Sequence, residues 1–199
     1  MSAAAAPAPG RTLVAGVGNI FLGDDGFGVE VARRLADRPL PEGVEVADVG
    51  IRCVHLAFDL LDGCELLILA DAAARGEPPG TVTVLEVDPA AAAGPARPPE
   101  PDAVPMDPHD LGPDALIGLL GSLGARVGRI VAVVCEPRST EPGIGLSAPV
   151  AAAVRSAADL VERLAAGEPV TSPRPTIRPG PPPARSTAAG PAATRRRNP

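Results

Sequence analysis

The chain of 199 residues contains no tryptophan, no tyrosine and no lysine, and its aromatic content is 2%. So few flat rings exclude the stacking platforms that hold single-stranded nucleic acid, and without lysine the G-K-[ST] end of a P-loop cannot be built. Cysteine is scarce as well. Cys53, Cys64 and Cys135 are far apart, odd in number and in no C-x-x-C pair, which argues against a disulfide framework and for reduced, partly buried thiols in the cytoplasm. No apolar run approaches the roughly 18 residues that suggest a membrane helix. The opening MSAAAAPAPG has neither the positive nor the apolar region of a secretory signal, so a cytoplasmic location and no membrane partner are expected.

What the chain does have is 45% hydrophobic residues, 26 prolines and a net charge of −6. That charge is unevenly spread. Residues 167–199 carry six arginines against one acid, leaving twelve arginines against twenty-three acids in residues 1–166, a balance of −11. So acidic a body repels nucleic acid and anionic lipid. The expected organisation is a disordered N-terminus over 1–10, one α/β domain over 11–167 and a disordered Pro/Arg-rich tail over 168–199, with a monomer as the working state.

Apolar periodicity supplies the elements. RTLVAGVG (11–18) and GVEVADVG (43–50) read as strands, CELLILAD (64–71) and RIVAVVCEP (129–137) as fully buried ones. Helices are expected over 25–38, with Phe27, Val31 and Leu35 on one stripe and Glu30/Arg34 paired, and over 54–63, with Val54, Phe58 and Leu61 sharing a face. Two more fall over 112–124 and 147–167, the last with Ser147 as N-cap and Val150, Val154, Ala158 and Val161 inward. GTVTVLEVD (80–88) follows the 64–71 strand after a short RGEPPG turn and reads as its hairpin partner at an antiparallel edge. Strands alternating with helices predict an α/β three-layer sandwich: a mostly parallel, twisted sheet of about five strands, helices on both faces. In such a sheet ligands gather beyond the carboxyl ends of the strands.

LVAGVGNIFLGDDGFG begins like a nucleotide-binding loop, yet a G-x-G-x-x-G fingerprint needs glycine where Phe21 stands, and Asp24 and Asp25 would repel a pyrophosphate. The glycines then make a tight strand-to-helix turn. Helix capping accounts for one acid, assigned to Asp24, and leaves Asp25 to face the crevice. Asp71 closes a five-residue apolar run, where an ionised carboxylate calls for a crevice or a cation. Of the 2 histidines, His55 reads as a solvated helix residue beside Asp59, and His109 lies in the loop MDPHDLGPDAL. Two carboxylates and an imidazole would suit a borderline ion such as nickel or zinc. Neither serine of RSTEPGIGLS has a histidine partner in sequence, no G-x-S-x-G elbow is present, and Cys135 reads as a core thiol more readily than as a nucleophile.

Four ordered stretches, GVGNIFLGDDGFG, ILADAA, PHDLG and EPGIGLS, resemble the successive signatures of the hydrogenase maturation endopeptidases over about Arg11 to Ala166. The resemblance implies a protease that removes a C-terminal extension from the nickel-iron hydrogenase large-subunit precursor. It implies Asp25, Asp71 and His109 as the residues that meet the metal and serve catalysis, with nickel presented by the precursor. Asp48, in DVGIRC, is implied as a second-line site residue. A checkpoint or chaperone that senses the same nickel site without hydrolysis is the alternative, and a flavodoxin-like phosphate-binding domain a third reading, opposed by the acidic loop.

Overall fold

The computed structural model describes residues 10–87, 119–120 and 123–170. Five strands form one sheet: β1 (Thr12–Val17), β2 (Val44–Gly50), β3 (Cys64–Ala72), β4 (Val82–Val87) and β5 (Val127–Cys135), in the order β2-β1-β3-β5-β4. All neighbours are parallel except β4, which runs antiparallel to β5 at one edge. The helices are α1 (Phe27–Ala36), α2 (Cys53–Asp59) and α3 (Ala148–Ala165).

β3 shows why its apolar run is continuous. Leu67 and Leu69 pack on the α2 side with Leu56 and Leu60, whereas Ile68 and Ala70 pack on the other side with Phe27 of α1 and Val150 of α3. A strand covered on both faces has no solvated side to leave polar. Each of Leu67, Ile68 and Leu69 is fully buried, about 1.5–3 kcal/mol per side chain relative to exposure. The predicted stripe Phe27, Val31 and Leu35 is fully buried, as are Val150, Ala158 and Val161. Val154 is half-buried.

Three expectations change. β4 is an antiparallel edge strand but pairs with β5, because both sides of β3 are occupied by parallel neighbours and residues 73–81 pass across the end of β5. That crossing is tied down: Ala73 N–H donates to Cys135 O, Glu136 N–H to Thr81 O, and the Glu136 carboxylate accepts from Arg75 and Gly76 N–H. The face formed by Val54, Phe58 and Leu61 is the exposed one, and Cys53, Leu56, Ala57 and Leu60 turn inward instead. Glu30 pairs with Arg33 at i,i+3 (2.9 Å), not with Arg34, since Arg33 also reaches Asp48 on β2. Most of the helix predicted over 112–124 lies outside the described residues. Among those described, no helix is long and apolar enough to cross a membrane.

Candidate functional site

The carboxyl ends of β1, β3 and β5 meet a compact turn, and two glycines make that closeness sterically accessible. A Cβ on Gly28 would stand 2.0 Å from Ala70 O and 2.3 Å from Val17 O, so α1 can begin directly on the strand ends only with glycine there. Gly18 has φ +124°, and a Cβ on it would stand 1.9 Å from Asp25 O. The chain therefore leaves β1 and folds back at once into a 3-10 turn, Gly23–Gly26, which holds both first-loop acids.

The two acids do different things. Asp24 is 1% exposed and caps no helix; the residue at the α1 N-cap position is Gly26. Its carboxylate instead accepts four hydrogen bonds: from Arg138 N–H (2.8 Å), Ser139 N–H (3.2 Å), Ser147 N–H (2.6 Å) and the Ser147 hydroxyl (2.9 Å). Ser147 stands at the N-cap position of α3, but its hydroxyl serves Asp24 rather than the helix. Backbone bonds complete the clasp, Gly23 N–H to Gly143 O and Gly143 N–H to Phe21 O, both 2.9 Å. Burial pushes the Asp24 carboxyl up, yet the donors from Ser147, Arg138 and Ser139 outweigh it and hold the group below the ordinary aspartate value. The EPGIGLS stretch is thereby fixed to the Asp25 turn.

Asp25 is half-buried and accepts Asn19 N–H at 2.6 Å. Asp71, the penultimate residue of β3 and register partner of Val134, is 5% exposed. Its carboxylate accepts one hydrogen bond among the described residues, from Ala72 N–H at 2.8 Å. Burial raises its pKa to about 7, the Ala72 bond works against that rise, and the negative charge of Asp25 adds to it. The two carboxylates thus lie close enough to feel one another across the rim. Both can supply oxygen to a cation, which would relieve their mutual repulsion. His109 lies outside the described residues, and among those described no group of three or more His, Cys, Asp or Glu side chains is arranged to hold a metal.

The remaining candidates occupy lesser positions. Asp48 is exposed at the end of β2 and ion-paired with Arg33 at 3.2 Å. His55 is exposed on α2. All three cysteines are buried, and none is joined to another in a disulfide. Desolvation pushes Cys135 up to about 11, with help from the charges of Asp24 and Glu136, so its thiol stays protonated and a poor nucleophile at neutral pH. Cys53 is raised likewise to about 11 by burial and then by the Asp71 charge beside it. Sequence reasoning missed the Asp24 clasp, the role of Glu136 and the approach of Cys53 to Asp71; of these, only the clasp had a signal, a second adjacent acid in excess of what one helix start requires.

A parallel α/β sheet with paired acids at the carboxyl end of its central strands defines a class of proteins that work at that rim. Comparison with known proteins narrows the class. A family model described as hydrogenase maturation protease matches residues 29–164. The hydrogenase 2 maturation protease of Escherichia coli is 31% identical over 152 residues, 76% of this chain and 88% of that protein. Among solved structures, the E. coli hydrogenase maturating endopeptidase HybD is 32% identical with a TM-score of 0.63, covering 79% of this chain and 93% of that one. The hydrogenase 2 maturation peptidase from a Thaumarchaeota archaeon is 34% identical with a TM-score of 0.59, covering 77% and 97%. The chain belongs to the hydrogenase maturation protease family, a family of peptide-bond hydrolases.

Proposed function

We propose that the protein removes the C-terminal extension of a nickel-iron hydrogenase large-subunit precursor after nickel has been inserted, and that it recognises the inserted ion. The observation carrying this reading is the pair Asp25 and Asp71, the latter buried, singly hydrogen-bonded and raised to about 7 beside its neighbour's charge. A buried carboxylate so poorly compensated in the free protein gains most when a cation arrives.

The nickel belongs to the substrate. Asp25 and Asp71 offer oxygen ligands, and His109, by resemblance to the family, contributes an imidazole. Docking on the ion sets the scissile peptide bond beside these carboxylates. A water held by a carboxylate adds to the peptide carbonyl and gives up its proton there, and the leaving amine takes a proton as the C–N bond breaks. An empty precursor presents no ion, so the bond is not positioned, and cleavage reports completed insertion. The buried thiols suit a reducing compartment such as the cytoplasm.

The test is Asp25→Asn incubated with nickel-loaded precursor, with product mass as the readout. Loss of processing with an unchanged circular dichroism spectrum is expected. Full processing by the variant removes Asp25 from the mechanism. Wild-type protein that binds the loaded precursor and leaves its mass unchanged is a checkpoint and not a protease.

A further inference from the structure

Beside the Asp25 turn, a groove of about 490 Å³ runs between α1 and α3. Gly23 and Gly26, the ends of the turn, form part of its wall, and Ile20, Ile144 and Leu146 line it with aliphatic surface. Ile144 is 85% exposed, the most exposed large apolar side chain among the described residues. Three guanidinium groups also line the groove. Arg33 is neutralised by Glu30 and Asp48, whereas Arg34 and Arg155 are exposed and have no carboxylate partner among the described residues.

Two unpaired cations are conspicuous on a chain whose first 166 residues carry a balance of −11. That overall field repels an acidic partner; where two such cations share one groove it is locally reversed over an aliphatic wall. A groove of this size takes several side chains rather than a lone anion.

We propose that this groove docks an acidic segment of the large-subunit precursor, its carboxylates on Arg34 and Arg155 and an aliphatic side chain against Ile144, so that the bond to be cut is delivered to the neighbouring rim. The proposal rests on the function proposed above. It adds a second point of recognition, away from the metal, that selects the protein and not the ion.

The double charge reversal R34E/R155E tests it, with Arg163→Glu in the last turn of α3, outside the groove, as a control for charge reversal elsewhere on the same helix. Both sites are exposed, so folding is preserved and is checked by thermal melting. Titration calorimetry with nickel-loaded precursor gives Kd, and steady-state processing gives KM and kcat separately. Expected for R34E/R155E are a Kd and KM about tenfold weaker with kcat within about twofold, and a flatter dependence of KM on salt than the wild type. Arg163→Glu should match the wild type. Wild-type cleavage with unchanged Kd and KM in R34E/R155E, or an equal loss in Arg163→Glu, overturns the groove alone. Wild-type protein that neither binds nor cleaves the loaded precursor overturns the function and the groove together.

Discussion

Asp24 and Asp71 are both buried aspartates at the same end of the sheet, and their surroundings drive them in opposite directions. Asp24 is met by three backbone N–H groups and a hydroxyl, which hold it ionised against its burial. Asp71 has one N–H and a neighbouring negative charge, and burial carries it up to about 7. A carboxylate met by four donors is architecture; it has little left to offer a ligand. One left nearly bare is a standing cost, tolerable where something arrives to relieve it. The comparison separates the adjacent acids Asp24 and Asp25 by role, since only the latter shares the field of Asp71.

The largest effect should follow from breaking the satisfied member. Asp24→Ala leaves three N–H groups and a hydroxyl without their acceptor, a loss of about 3–5 kcal/mol. Urea unfolding measures it, and Asp24→Asn, which keeps a carbonyl oxygen, should lose less. Because the clasp also holds the turn of Asp25, processing should fall with stability. A cost in Asp24→Ala below about 1 kcal/mol would mean that the clasp is incidental. The wild-type contribution of Asp24 has a definite pH window: with the folded pKa lowered, it is present above the unfolded value and lost as pH falls through the folded one.

Asp71 has the reverse sign. Its folded pKa, about 7, lies above the unfolded value near 4, so the folded state binds the extra proton between them and stability falls as pH rises through that interval. Asp71→Asn removes the titration. The variant should be more stable than the wild type by about 4 kcal/mol at pH 8, less so at pH 6, and hardly at all at pH 4. Denaturant titrations at the three pH values check this. The same substitution should abolish processing, and a variant no more stable at pH 8 would refute the claim that Asp71 is held at a cost.

The difference between these two residues also shows what could be read without coordinates. The sheet, its layers and the stripe Phe27, Val31 and Leu35 follow from local periodicity, and they were legible because one element's pattern suffices to state which face is buried. Proximity of the first loop to the end of β3 was legible as well, through the parallel pairing of β1 and β3. The Asp24 clasp was not, because its donors lie more than 110 positions away and are backbone N–H groups and a serine hydroxyl, which no charge pattern announces. β4 was misplaced for a related reason: a short connection suggests the preceding strand, while the hydrogen bonds that carry residues 73–81 across β5 come from Glu136 and Cys135, far along the chain. Val54, Phe58 and Leu61 share a helical face, but a seven-residue helix has too few turns for periodicity to say which face goes inward.

Asp48 completes the series at the solvated end. Its side chain is 41% exposed and its partner Arg33 49%, and Arg33 keeps Glu30 if Asp48 is removed. Exposed pairs of this kind are worth little after solvent screening and side-chain entropy, so Asp48→Ala should change stability by less than about 1 kcal/mol. That small figure is what makes the substitution informative. In Asp24→Ala a loss of processing cannot be told from a loosened turn, whereas in Asp48→Ala the fold stays intact by denaturant titration and any fall in kcat belongs to the chemistry at the rim. A destabilisation well above about 1 kcal/mol would instead place Asp48 among the structural acids, with Asp24.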